Sequence, residues 1–314
     1  MRLSAAIQEF INYKRSLGML FRTPEDRLKA FIRQIGDVEL DAITAQQVRE
    51  HLYASPGPVT RFWLAKFSVL DGFFRYAISR HYMAHSPLPT SVPKAPARLT
   101  PYLFSVDEMR RLLNAADLVY SPSCLLEPHT VRTLLLLLYG TGMRIGEAMR
   151  LTIRDVDLKE TLLTIRETKF FKSRLVPVGS DLARTLQLYY NQQWHGREHT
   201  CDSPFLCTHK GTKLTVQRAE RVFKRLRTEA RIARADGGRY QPRLHDIRHT
   251  FAVTRLVTWY REGKNVQRLL PHLSTYLGHA YIADTSLYLT MTKDLLQEAS
   301  RCFELYALPE VQHD

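Results

Sequence analysis

Four prolines fall within eleven residues, at Pro87, Pro89, Pro93 and Pro96, and Pro101 follows shortly after. Proline fixes its own backbone and donates no hydrogen bond, so no helix or central strand can run through such a stretch. The chain must therefore fold as two parts joined by an extended linker, read here as residues 86–104. Residues 1–85 read as a helical module. Ile7, Phe10 and Ile11 share one helical face, and Gly18 ends that pattern. Thr23 and Pro24 look like a second helix start, Leu28, Phe31, Ile32 and Ile35 continue its face, and Gly36 closes it. Thr44 and Gln47 form a capping box, and a further helix is expected from about Val59 to Tyr82. Residues 105–314 mix element types. Ser105 with Glu108 opens a helix, Val131 to Tyr139 is an apolar helix expected to end at Gly140, and another begins at Ile145. Short strands at 161–165 and 175–178 flank the basic turn Lys169-Phe170-Phe171-Lys172. Helical spacing returns after Thr215. The fold class expected is mainly α with a small β-sheet: one all-helical domain and one mixed, mostly helical domain.

Lysine and arginine exceed aspartate and glutamate by 45 to 31, a formal charge of +14. That excess favours a polyanionic partner, nucleic acid being the commonest. Lys14, Arg15, Arg22, Arg27, Lys29, Arg33, Arg61, Lys66, Arg75 and Arg80 give the first module a basic face suited to phosphates. The four cysteines, Cys124, Cys201, Cys207 and Cys302, match no zinc spacing. With no signal-like or membrane-length apolar run, a cytoplasmic, nucleoid-associated protein with free thiols is expected.

The chemistry concentrates between His245 and Tyr288. His245 and Arg248 are three residues apart and share a face if helical. Arginine's planar fork suits two oxygens of one phosphate. Arg144, after a glycine-bearing turn at a helix start, can serve the same anion. His279 follows Leu277-Gly278, and Tyr288 lies nine residues further on, after a cap at Asp284 or Thr285. A tyrosine hydroxyl becomes a nucleophile only beside positive charge or a base. His245 and His249, four apart, also admit a second reading, an HxxxH metallohydrolase; but Asp246 replaces the expected glutamate and Arg248 would put a positive charge beside the metal.

The ordered set Thr141-Gly142-Met143-Arg144-Ile145-Gly146-Glu147-Ala148, Thr168-Lys169 to Val176-Pro177, His245-Asp246-Ile247-Arg248-His249-Thr250-Phe251-Ala252, Leu277-Gly278-His279 and Tyr288 resembles the tyrosine recombinase, or phage integrase, family. The resemblance covers most of the chain. It implies a core-binding, DNA-clamping domain at 1–85 and a catalytic domain at 105–314. It implies that Arg144 and Arg248 hold the scissile phosphate, that Lys169 is the acid for the 5′-hydroxyl, and that His245 assists proton transfer. His279 would hydrogen-bond the phosphate, and Tyr288 would form a 3′-phosphotyrosine link. Lys172 competes for the lysine role. The family needs no metal and no nucleotide cofactor. Its members act on double-stranded DNA as tetramers, here of one chain or with sister recombinases, and not at a membrane. A catalytically inactive DNA-binding member of the same fold is the other reading. Leu295, Leu296, Ala299, Phe303 and Leu305 would dock on a neighbour or on the chain's own core. Two departures stand out. The stretch from Arg248 to Leu277 is longer than in Xer-type members, which implies an extended loop near Trp259–Asn265 and a transposon- or plasmid-borne branch. No arm-binding domain is expected before the helical module.

Overall fold

The computed structural model describes residues 1–54, 57–96, 100–120, 126–166, 173–238, 240–279, 281–290, 297–298 and 300. They form two compact units, one within residues 1–96 and the other from residue 100 onward.

The first unit is built from α1 (Leu3–Ser16), α2 (Arg22–Ile35), α3 (Ala45–Leu52) and α4 (Arg61–Ser79). Leu3, Ile7, Phe10, Leu28, Phe31, Leu70, Phe73 and Phe74 are sealed from solvent in its core. Phe10 meets Phe73 edge-on at 5.8 Å, and Phe31 meets Phe74 in the same way at 6.2 Å. Truncating one such ring to alanine costs about 3–5 kcal/mol. Two helix ends differ from the sequence reading. α2 begins at Arg22, with Phe21 left-handed at its N-cap, and the Thr23 side chain caps nothing. Pro24 fits inside that first turn because the amide it lacks has no intrahelical acceptor there. α4 is shorter than expected; it starts after Thr60, whose hydroxyl accepts from the Trp63 amide.

The second unit runs through α5 (Val106–Leu118), α6 (Pro128–Thr141), α7 (Ile145–Ala148), β1 (Val156–Asp157), β2 (Leu162–Ile165), β3 (Arg174–Pro177), α8 (Ser180–Trp194), α9 (Val216–Glu229), α10 (Asp246–Arg261), α11 (Val266–Leu277) and α12 (Ala283–Ser286). α6 is apolar nearly all round, with Val131, Leu134, Leu135, Leu137 and Leu138 buried, as a helix surrounded by others must be. It packs against α5, α8 and α10. The three strands form an antiparallel sheet in sequence order, in which buried Leu163 pairs with buried Val176. Thr250 on α10 accepts from the Phe104 amide at 3.0 Å, tying the start of this unit to the helix that carries Arg248.

α6 ends at Gly142, not Gly140. A Cβ on Gly140 would lie 2.9 Å from Leu182 of α8, so this glycine lets two helices approach, while Gly142 turns the chain at φ +60°. The expected loop near Trp259–Asn265 is also absent as such. α10 continues through Arg261, and α11 follows after a turn at Gly263 (φ +65°) with Asn265 as its cap. Trp259 and Tyr260 pack on the apolar cluster of Phe251, Leu256 and Leu270, which keeps the segment helical. No helix among the described residues is long and apolar enough to cross a membrane.

Candidate active site

The site forms where the C-termini of α6 and α11 face the start of α10. A helix C-terminus leaves its last carbonyls without intrahelical donors and carries partial negative charge. Here those carbonyls hold arginines. Arg248 donates from Nη1 to Gly142 O at 2.8 Å and from Nη2 to Leu277 O at 2.7 Å. Arg144 donates from Nη2 to Gly278 O at 2.8 Å, and Arg174 of β3 donates from Nε to Tyr276 O at 2.8 Å. Three consecutive carbonyls at the end of α11 thus fix three guanidinium groups. Gly142 and Gly278 are both left-handed, and a Cβ on either would strike Phe251 or Arg174 respectively.

Glu147 ties two of these arginines together. Buried at the end of α7, it accepts from the Arg144 amide and Arg144 Nη1, both at 2.9 Å, and from Arg174 Nη2 at 2.7 Å and Nη1 at 3.1 Å. Burial pushes its carboxyl up, but the Arg174 bonds and charge, with those of Arg144, outweigh it and hold the pKa at about 2. Arg248 is 3% exposed. Burial and the nearby charge of Arg144 lower its pKa to about 10, still cationic at neutral pH.

Tyr288 sits in a 3₁₀ turn, Leu287–Thr290, that packs against α10, and is itself 3% exposed. Burial raises its pKa; the charge and hydrogen bond of Arg248, and the charge of Arg144, lower it in part. His249 Nδ1 lies 3.2 Å from Tyr288 Oη. The His279 ring stacks on Tyr288 at 6.1 Å, and its Nδ1 bonds Thr285 Oγ1 at 2.7 Å, leaving Nε2 for a ligand. Burial, then Arg248 and Arg144, lower the His279 pKa to about 3. His245 stands at the N-cap position of α10 without a capping bond, has an exposed outer edge and meets His249 edge-on at 4.9 Å. Crowding strips water from its ring and, with the charges of Arg248, Arg243 and Arg144, lowers its pKa against the pull of Asp246.

Arg144, His245, Arg248, His279 and Tyr288 therefore come together. Lys169 and Lys172 lie outside the described residues, as do Leu295, Leu296, Ala299, Phe303 and Leu305. Thr285 is no helix cap: α12 has no side-chain cap, and this buried hydroxyl orients His279 instead. The sequence reading gave Glu147 and Arg174 no role, and took His249 only as a metal ligand in the HxxxH alternative. The i, i+3 spacing of Arg144 and Glu147 was a usable signal; the partners of Arg174 and His249 come from distant segments. Among the described residues no three His, Cys, Asp or Glu side chains are grouped to hold a metal, and His249 Nδ1 faces Tyr288. In the first unit, Lys29 and Arg15 pair with Glu25, whereas Arg27 and Lys66 flank the exposed ring of Phe62.

The phage integrase family profile matches residues 103–294. The chain belongs to this family. An integrase/recombinase of Sinorhizobium fredii, y4rB, is 36% identical over 95% of this chain and 96% of its own length. The XerD tyrosine recombinase of Bifidobacterium longum is 31% identical over 83% and 82%. Among solved structures, the Tn1549 transposon integrase in complex with transposon right end DNA shares the fold of this phage integrase member. Its TM-score is 0.69 at 16% identity, over 98% of this chain and 100% of the other. A lambda integrase from a tetramer bound to a Holliday junction gives 0.64 at 18% identity, over 92% and 77%.

Proposed function

We propose that this chain is a site-specific DNA recombinase that cleaves and rejoins strands through a 3′-phosphotyrosine at Tyr288. The observation that carries the reading is the convergence of Arg248, His249 and His279 on one buried tyrosine, with Arg144 held beside Arg248 by the end of α11. Arg144 and Arg248 take the non-bridging oxygens of the scissile phosphate and stabilise the charge that builds in a pentacoordinate transition state. His279 Nε2 adds a hydrogen bond to the same phosphate. Tyr288 Oη attacks phosphorus while the 5′-oxygen leaves, protonated by Lys169, with His245 assisting proton transfer. The phosphotyrosine retains the bond energy, so a 5′-hydroxyl from a partner strand reverses the step. Neither metal nor nucleotide enters this scheme.

The two units, joined by the proline-rich linker, are proposed to clamp duplex DNA, with the basic face of the first on phosphates. The solved relatives bound to DNA as dimers and tetramers support a tetramer of this chain, alone or with sister recombinases, as the working form. With DNA as its substrate, the protein is proposed to work in the cytoplasm, associated with the nucleoid. The test is Tyr288→Phe on a nicked suicide substrate, resolved on a denaturing gel. The variant binds DNA and forms no covalent adduct. A persisting adduct removes Tyr288 as nucleophile. Tyr276 is a poor substitute, since its hydroxyl donates to Pro177 O and burial pushes it up to about 12.

A further inference from the structure

A buried phenol must lose its proton as it bonds to phosphorus, and burial here makes that loss harder. Among the described groups, two meet Tyr288 Oη. Arg248 is a cation with donors only, so it steadies a phenolate but cannot accept a proton. His249 is the other, with Nδ1 at 3.2 Å and its ring 5.5 Å from the tyrosine ring. His279 stacks on the tyrosine face with Nδ1 committed to Thr285, and His245 touches His249 rather than the phenol. Resting on the reading of Tyr288 as nucleophile, we infer that His249 is a further catalytic residue, the general base that receives the Tyr288 proton during attack.

The step balances. The Oη–P bond forms, the P–O5′ bond breaks, the phenolic proton passes to Nδ1, and the departing oxygen takes a proton from the acid assigned to Lys169. In rejoining, a 5′-hydroxyl attacks and gives its proton back to the group assigned to Lys169, the Oη–P bond breaks, and Nδ1 returns its proton to Oη. The ring has the right resting state for this. Burial, then the facing charges of His245, Arg243 and Arg248, bring its pKa to about 4, while Asp246 opposes them. His279, whose own pKa His249 helps lower, faces it from the end of α11. The ring is thus neutral and free to accept at neutral pH. Burial of Tyr288 keeps the proton on the phenol at rest, and it moves to the ring only as bonding to phosphorus acidifies the phenol.

Two variants separate a base from a mere clamp. His249→Asn keeps a polar group near the Nδ1 position but cannot take the proton; His249→Ala leaves room for a small base. Both are expected to bind DNA as the parent does and to form adduct about 100- to 1,000-fold more slowly. Added imidazole should speed His249→Ala at least about tenfold. A 5′-bridging phosphorothiolate, whose leaving group needs no acid, should restore neither variant. Adduct formation by His249→Asn within about threefold of the parent, absence of imidazole rescue, or restoration by the phosphorothiolate overturns the assignment. Tyr288→Phe run beside them keeps the two readings apart: adduct from that variant sinks the nucleophile, whereas adduct lost there but retained in the His249 variants sinks only the base.

Discussion

Replacing Glu147 with glutamine tests how the arginines are held. The substitution keeps the shape but exchanges one acceptor oxygen for an NH₂ group, which then faces arginine donors. Of the four hydrogen bonds that Glu147 accepts, the two on that oxygen are lost, and so is the charge. The displacement of its pKa from 4.5 to about 2 corresponds to about 3 kcal/mol favouring the carboxylate in the folded state. Breaking a buried pair costs a similar amount, about 3–5 kcal/mol. Most of it should come from Arg174, 11% exposed, rather than from Arg144 at 38%, where water screens the interaction. Because the carboxyl is depressed, its contribution is present above pH 4.5 and is lost as pH falls towards 2. Urea denaturation should therefore show Glu147→Gln about 3 kcal/mol less stable than the parent at pH 7, with the gap narrowing below pH 4.5. Adduct formation should fall about 10- to 100-fold, because Arg144 loses one of its two bonds to Glu147 and the charge facing it. A stability loss under about 1 kcal/mol at pH 7, or one unchanged by acid, would mean that the Glu147 charge does not hold the two arginines.

Gly142→Ala should cost about 2–4 kcal/mol, combining a left-handed backbone with a methyl 2.3 Å from the Phe251 ring; a denaturation midpoint within experimental error of the parent counts against the α6 cap. His51, His249 and His279 all have lowered pKa values, about 4, 4 and 3. The unfolded chain therefore takes up more protons below pH 6.5, and stability falls as pH drops from 6.5 towards 4, by about 3 kcal/mol for His51 alone. His51→Gln should flatten that slope in thermal melts, and a melting temperature that holds steady on acidification contradicts it. DNA affinity should drop about 10³-fold or more between 50 and 200 mM salt if a clamp covers six or more phosphates; a salt-insensitive Kd rules the clamp out.

Local chemistry was legible in the sequence and tertiary choice was not. The capping boxes at Thr44 and Ser105 appear as read, because a cap depends on residues three apart. α6 ends two residues beyond the glycine expected to stop it, because Leu182, about forty residues away, decides which glycine stays helical. α8 carries a helical face legible in the sequence, with Ala183, Leu186 and Tyr189 at three-residue spacing and all buried. At the site, residues named by motif converge as side chains. Arg174 and Glu147 meet only because β3 lies beside α11, and no spacing rule links positions 27 apart. His249 lies inside a recognised motif, yet its contact with Tyr288 depends on how the 3₁₀ turn packs on α10.

The central claim is that Tyr288 carries the covalent link. Trapping the adduct on a suicide substrate, digesting protein and DNA, and sequencing the modified peptide by mass spectrometry tests it most directly. One modified peptide is expected, with a nucleotide 3′-phosphate esterified to Tyr288 Oη. A nucleotide on Tyr276, Tyr281 or any serine, or trapped DNA with no modified tyrosine, would contradict it.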